Sequence, residues 1–284
     1  MRIASIDIGT NAVKSKVFET TPTSIEFLEG VRSPIRLGSD VFQNGSLSIE
    51  KLDELAKTLK KYQKNFLLNK IKMYEIVATS AFRDTENSEK ARRYIENKIE
   101  HPIRIISGLE EAKLIRLHPK AQSGSNKVYV DVGGGSTEIY IYEKGEHIIQ
   151  SFQLGAVRGM LAKEDPEEWK RLEKWLRKQS KIDNLIGLGG NIRSFLNINN
   201  AKKMSSENFI ERSNNLSSQK IEDKIANYKL GNDRADVIDH ALHIFKFISE
   251  HLMVETITST RWGVSDSIGV KLFHEIYSNK INIS

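Results

Sequence analysis

Lys127–Tyr142, KVYVDVGGGSTEIYIY, decides how the rest of the chain is read. Val128–Asp131 is an apolar run ending on a carboxylate, which predicts a buried strand. Gly133, Gly134, Gly135, Ser136 and Thr137 follow as a turn almost without side chains, and Glu138–Tyr142 alternates like a returning strand. Consecutive glycines let backbone N–H groups converge on one anion, because no Cβ blocks the approach and positive φ is free. The Ser136 and Thr137 hydroxyls add two donors, and Asp131 stands beside the turn, where a cation would sit. Taken alone, a GGG hairpin is just as readily an ordinary turn.

The chain says nearly the same thing twice. Arg2–Asn11, RIASIDIGTN, runs strand, Asp7, Gly9, hydroxyl, and Val13–Phe18 resumes the alternation. Asp7 and Asp131 are 124 positions apart (131 − 7). Two strand–Asp–Gly–hydroxyl–strand hairpins in one chain predict a duplicated α/β fold, with two phosphate loops facing each other across a cleft. The Ser/Gly-rich stretch Ala121–Asn126 is the natural boundary. It divides the chain into domains 1–122 and 123–284, with the closing helix free to pack back on the first.

A length of 284 residues suits one large or two medium domains, and a hydrophobic share of 39% with interleaved charge suits an ordinary core. No apolar run is long enough to span a membrane, and Asp7 interrupts the apolar N-terminus as no signal peptide allows. With no cysteine there is no disulfide, thiolate nucleophile or Cys-ligated zinc, and a cytoplasmic location is expected. The formal charge of +6 points to a polyanionic partner, nucleic acid or a phosphate polymer. Most basic clusters read equally as the wet faces of amphipathic helices. Lys57, Lys60, Lys61 and Lys64 accompany Leu52, Leu55 and Leu59, and Lys170 and Arg171 accompany Trp169, Leu172 and Leu176.

Ile25–Val31 reads as a strand, and Arg32–Gly38 as a polar loop carrying two arginines. Asn44-Gly45 reads as a turn, Ser48 as the cap of a helix Ile49–Leu68, and Met73–Ala78 as a strand. Thr79–Ser88 follows at the C-terminal end of that strand, where open α/β sheets bind ligands. Arg83 there can fork onto phosphate oxygens or pair with a nearby acid, and Asn87 can fix the loop. A helix Ser88–Ile99 and a short strand Ile103–Ile106 lead to Ser107-Gly108-Leu109-Glu110-Glu111. Acidic residues are favoured at a helix start by the macrodipole, and one of these two can equally be a general base or metal ligand.

Further on, Phe152–Arg158 leads from strand into helix, and Asp165-Pro166 opens another helix. Leu185–Arg193 runs strand, Gly187, Gly189, Gly190, then helix, a place for phosphate at the positive end of the helix dipole. Asn197–Ser218 is polar and reads as an irregular, partly helical insertion. Asp236–Val254 is a helix, and its His240, His243 and His251 lack the carboxylates that would make a metal cluster. Glu255–Thr260 is a strand and Asp266–Tyr277 the last helix. These features leave a kinase, an ATPase-type machine or a phosphatase open. Absence of GxxxxGK[ST] argues against a P-loop enzyme, and absence of a Ser-His-Asp or Cys nucleophile favours direct attack by water.

At these residues the chain resembles the exopolyphosphatase/guanosine pentaphosphate phosphatase family of the actin-like ATPase superfamily, in its short two-domain form. The matching segments are IDIGTNAVK (Ile6–Lys14), TSAFRDTEN (Thr79–Asn87), ISGLEEAKLI (Ile106–Ile115), VDVGGGSTE (Val130–Glu138), QLGAVR (Gln153–Arg158), GLGGNIR (Gly187–Arg193) and DRADVID (Asp233–Asp239). The resemblance implies two ribonuclease H-like (actin-like ATPase) α/β domains flanking a cleft. It also implies release of terminal phosphate from polyphosphate or guanosine pentaphosphate, with Mg²⁺ as cofactor. Glu111 would then activate the attacking water, with Arg83 in the catalytic set. Asp131, Glu138 and Asp7 would hold the metal. Gly9, Thr10, Asn11, Gly133, Gly134, Gly135, Ser136, Gly189 and Gly190 would hold phosphate oxygens. Because Glu111 falls before the 122/123 boundary, it would have to reach across from the other domain. The implied partners are polyphosphate or a phosphorylated guanosine nucleotide, with no membrane and no nucleic acid, and a homodimer is left open. Near the C-terminus Trp262–Ser267 replaces the family's usual Gly-Leu-Arg-Glu-Gly, which bears on the distal end of the substrate. A small-molecule kinase and a non-catalytic phosphate sensor are the competing readings.

Overall fold

A computed structural model describes residues 1–123 and 126–281 of the chain. Strands β1 (Arg2–Ile8), β2 (Val13–Thr20), β3 (Ile25–Ser33), β4 (Met73–Ala78) and β5 (Arg104–Ile105) form one sheet in the order β3-β2-β1-β4-β5. β1, β2 and β3 are antiparallel neighbours, and β4 and β5 continue parallel to β1. The second sheet is β8-β7-β6-β9-β11-β10, from β6 (Lys127–Val132), β7 (Thr137–Glu143), β8 (Glu146–Phe152), β9 (Asn184–Leu188), β10 (Lys203–Ser205) and β11 (Thr256–Ser259). It repeats the first plan, an antiparallel meander followed by two parallel strands, and adds β10 as an antiparallel edge.

The repeat holds at the level of single residues. Asp7 faces Lys14 across β1–β2, and Asp131 faces Glu138 across β6–β7, so both members of the second pair sit 124 positions after the first. The two hairpin turns close alike, Gly9 N–H donating to Ala12 O at 3.2 Å and Gly133 N–H to Ser136 O at 2.9 Å.

The compact units are Met1–Ser107 with the chain from Val264 onward, and Gly108–Gly263. The division therefore falls at Ser107/Gly108 and not at 122/123. The helix Gly108–Leu114 packs on β7 and β8, which draws it into the second unit together with Glu111. The helix Val264–Ile281, in turn, packs on β1, β2 and β4 of the first.

In the first unit, Ala4, Ile6 and Ile8 of β1 face one side and Ile3, Ser5 and Asp7 the other, the period of two expected of a strand buried on both faces. The Ile3 side carries Phe18 and is covered by the closing helix through Leu272. Ser5 Oγ donates to Ser265 O at 2.7 Å, and Lys16 Nζ meets Asp266 Oδ2 at 2.5 Å. Gly269 lets this helix lie flat, since a Cβ there would strike the Phe18 ring. The helix Ile49–Leu68 begins where its cap predicts, with Ser48 Oγ accepting from Lys51 N–H at 3.2 Å. Asn44-Gly45 ends a short helix Leu37–Asn44 that replaces the end of the expected polar loop, with Gly45 at φ 78°.

In the second unit the insertion expected at 197–218 is ordered. It forms β10 and a helix Ser206–Ser217 that buries Phe209 and Leu216. Two apolar positions seven apart are enough for a polar sequence to hold a helix against a core. The helix expected over Asp236–Val254 spans Ile238–His251, and a separate short helix, Asn232–Ala235, precedes it. On the helix Ile238–His251, His240 is half-buried, its Nδ1 3.0 Å from where a Cβ of Gly159 would stand. Burial lowers its pKa below the ordinary 6.5, with the neighbouring Asp239 working against that.

Replacing Gly269 with Ala overpacks the helix against Phe18, and urea unfolding should show a loss of about 1–3 kcal/mol. Acidification supplies a second test. As pH falls below 6.5 the unfolded chain takes up a proton on residue 240 that the folded protein takes up only lower, so stability is lost through that window. Glu164, raised by burial, slopes the opposite way above its ordinary 4.5. His240→Gln should therefore lose less stability than wild type on acidification below 6.5, read from urea unfolding across a pH series.

Candidate active site

In the second unit β6, β7 and β8 set a row of polar side chains on one face of the sheet. Asp131 is opposite Glu138, and Glu138 is opposite Ser151. Glu138 is 1% exposed and accepts a hydrogen bond from Ser151 Oγ at 2.9 Å. The same face carries Tyr129 and Tyr140, which pack with Ile115 from the chain beyond the helix Gly108–Leu114. That helix turns Glu111, Ala112 and then Ile115 inward and leaves Glu110 in solvent. Of the two glutamates that the sequence offers, Glu111, 9% exposed, is thus the one laid toward the sheet. Gly108 makes the close approach: a Cβ there would meet Ser151 Oγ, and it would lie 3.7 Å from Glu138 Oε1.

The glycine loop owes its shape to its carbonyls. Gly133 O accepts from Ala156 N–H at 2.9 Å, and Gly134 O from Val157 N–H at 2.8 Å and Arg158 N–H at 3.0 Å. Gly135 O accepts from Arg158 Nε at 3.0 Å. Gly155 carries no side chain because a Cβ would lie 2.6 Å from Gly134 and Gly135 backbone atoms. Positive φ, one of the two reasons expected for the glycines, is not used at Gly133, Gly134 or Gly135. At Gly133 the reason is close packing, with Ser136 O only 3.1 Å from a Cβ there. Thr137 is also not a ligand donor, since its hydroxyl is buried and spent on Leu154 O at 2.7 Å. The third loop does use the left-handed region. Gly189 has φ 83°, and a Cβ on it would stand 3.0 Å from Asp131 Oδ1. Gly190 lies under the Arg234 guanidinium, which donates to Asn191 Oδ1.

In the first unit Asp7 is 2% exposed, and Lys14 Nζ stands 3.4 Å from its Oδ2. Gly9 closes the turn, Thr10 Oγ1 is 2.5 Å from Ser80 Oγ, Thr10 O accepts from Gly38 N–H, and Asn11 O accepts from Arg36 N–H. Arg83 donates to Ile106 O at 3.0 Å and pairs with Asp84 at 3.5 Å, the acid-paired alternative. Asn87 fixes the loop as expected, bonding Leu47 through both N–H and C=O. Among the described residues no group of three or more His, Cys, Asp or Glu is gathered for a metal. Of the implied metal set, Asp131 and Glu138 form a pair in the second unit and Asp7 belongs to the first.

The pair suits a hard divalent cation, because Mg²⁺ is commonly bound by one or two carboxylates together with substrate phosphates and waters. Like charges directly opposite on a ladder are destabilising, which makes a cation welcome there. The reading of the sequence missed Lys14, Ser151 and Gly155 as parts of these sites. The first two were within reach, by aligning the repeat at its offset of 124 and by pairing Glu138 with the next strand.

A family model described as the Ppx/GppA phosphatase family matches residues 16–275. The Ppx/GppA family member of Aquifex aeolicus is similar at TM-score 0.76 and 23% identity, over 98% of both chains. An exopolyphosphatase from Cytophaga hutchinsonii is similar at TM-score 0.85 and 20% identity, over 97% of this chain and 98% of that one. At such identities the likeness establishes the fold alone, the two-unit α/β plan that the repeated loops predict and that the family resemblance identifies as ribonuclease H-like (actin-like ATPase). Since the family match runs from β2 into the closing helix, this chain belongs to the Ppx/GppA phosphatase family.

Proposed function

We propose that the protein is an exopolyphosphatase, which uses a Glu111-activated water to release the terminal orthophosphate of inorganic polyphosphate. One observation supports the reading: the helix Gly108–Leu114, on which Glu111 is buried, packs on β7 and β8 with Gly108 close to Glu138, the register partner of Asp131. Phosphoryl transfer needs positioning and charge neutralisation more than covalent help, and this face supplies both. Asp131 and Glu138 are the residues that would hold Mg²⁺, which when bound supplies positive charge to the phosphate oxygens. Gly134 and Gly135 offer backbone N–H groups from a loop whose carbonyls are tied to the segment 156–158, and whose turn is closed by the Gly133 N–H on Ser136 O. Gly189, beside Asp131, belongs to the same assembly. In the step itself, water oxygen attacks the terminal phosphorus, Glu111 takes the proton, and the anhydride P–O bond breaks toward the shortened chain.

Asp7 is neutralised by Lys14, so in the first unit a fixed ammonium occupies the place of the second carboxylate. Gly9, Thr10, Asn11 and Arg83 are read as phosphate contacts on the family motif. The +6 charge of the chain favours a phosphate polymer, and the similar Cytophaga protein is itself described as an exopolyphosphatase. Family membership replaces the kinase alternative with a hydrolase.

Glu111→Gln should lower phosphate release from polyphosphate by about 10²–10⁴-fold, the usual contribution of a positioned base. Turnover near wild type would remove Glu111 from the mechanism. Side-by-side kcat/KM for polyphosphate, short oligophosphates, guanosine pentaphosphate and ATP should rank polyphosphate first. Guanosine pentaphosphate in first place would make the protein a nucleotide 5′-phosphatase on the same residues.

A further inference from the structure

We propose that Ser151 is a positioning residue for this reaction, aiming the Glu138 carboxylate and seating the first turn of the helix that carries Glu111. The inference rests on the reading of Glu138 as a metal-holding carboxylate and adds the residue that sets its direction.

Ser151 is the register partner of Glu138 on β8, so both side chains leave the sheet on one face. Its hydroxyl donates to Glu138 Oε1 at 2.9 Å, inside a site where Glu138 itself is 1% exposed. A carboxylate is free to rotate about its last bond. A donor fixed on one of its oxygens sets the plane of the group and hence the direction of the other oxygen. In metal sites such outer partners orient the ligands and are costly to lose.

The same hydroxyl faces Gly108. A Cβ on residue 108 would overlap Ser151 Oγ and lie 2.9 Å from Ser151 Cβ. The helix Gly108–Leu114 is therefore seated directly on Ser151, three residues before Glu111. Ser151 is itself held from behind. Arg171 Nη2 donates to its carbonyl at 2.7 Å, the Arg171 guanidinium lies 4.3 Å over the Phe152 ring, and Glu168 clamps Arg171 at 2.7 Å. One side chain on an anchored strand thus touches both the metal-side carboxylate and the helix of the base.

The test compares Ser151→Ala, Ser151→Thr and Glu138→Gln in the full chain. Mn²⁺ binding alone is followed by electron paramagnetic resonance titration, and folding is followed separately by thermal melts in EDTA. Ser151→Ala should weaken Mn²⁺ binding by about 10–100-fold, the range for loss of an outer-shell partner. It should also raise the Mg²⁺ concentration that half-saturates phosphate release. Ser151→Thr keeps the hydroxyl and should bind Mn²⁺ near the wild-type level. Wild-type Mn²⁺ binding in Ser151→Ala, or a loss in Ser151→Thr as large as in Ser151→Ala, overturns the proposal. If Ser151→Ala does not melt as a folded protein, Gly108→Ala decides, because it keeps the hydroxyl but pushes it off Glu138. Weakened Mn²⁺ binding there supports the proposal, and unchanged binding overturns it. The Glu138→Gln arm separates the two levels. Unchanged Mn²⁺ binding in that variant removes the assignment of Glu138 as a ligand, whereas loss there with none in Ser151→Ala removes only the role of Ser151.

Discussion

Two carboxylates, Asp131 and Glu138, are held opposite each other by an antiparallel ladder, and much of the second unit is arranged around that juxtaposition. Like charges directly opposite each other on such a ladder are destabilising. A fold retains such a pair only if something returns that energy, and a bound cation does so directly. The first unit shows the contrast. Its sheet, turn and offset are the same, but Lys14 stands where Glu138 stands in the second, and Asp7 has its counter-charge built in. One half of the repeat carries its own positive charge, and the other half is arranged to receive one.

The elements around the carboxylate row are brought against it by close backbone approach. Gly189 brings the third loop against Asp131 because nothing larger than hydrogen fits beside Oδ1. Gly155 lets the backbone of the 156–158 segment close on the glycine loop and take its carbonyls. Gly108 does the same for the helix of Glu111. Three glycines far apart in sequence thus perform one task, permitting close approach, and only Gly189 among them needs a left-handed backbone.

Much of this was legible before any coordinates. The two hairpins, the strand Met73–Ala78, and the helices Ile49–Leu68 and Ser88–Ile99 lie where periodicity and capping put them, because each has a local signal that tertiary packing reinforces. The residues of the two loops were legible for the same reason. The choice between Glu110 and Glu111 was not readable from physics alone, since the macrodipole favours both, and only the packed face of the helix separates them. Of the two freedoms that GGG offers, positive φ is used at none of Gly133–Gly135, and close approach is used at Gly133, a choice that the motif leaves open. The polar run after Asn197 was misjudged by composition. Phe209 and Leu216 were its core, diluted by serine and asparagine on the solvent side.

The boundary between the units was illegible for a deeper reason. Composition marks a linker at Ala121–Asn126, but the chain changes units at Ser107/Gly108 and again at Gly263/Val264, inside a reaction motif and inside the altered Trp262–Ser267 segment. Each change carries a helix away from the sheet it follows. The helix after β5 covers the Asp131 face of the second sheet, and the helix after β11 covers the Asp7 face of the first. Hydrophobic pattern reports that each helix has a buried side, never which sheet buries it. The exchange also places Glu111, the proposed base, just beyond the crossing. A helix that leaves its own sheet to complete the other one begins at a fixed, close-packed point, and Gly108 on Ser151 is such a point. Three residues on, Glu111 inherits that fixed origin, so the position of the base is set by the same packing that completes the unit.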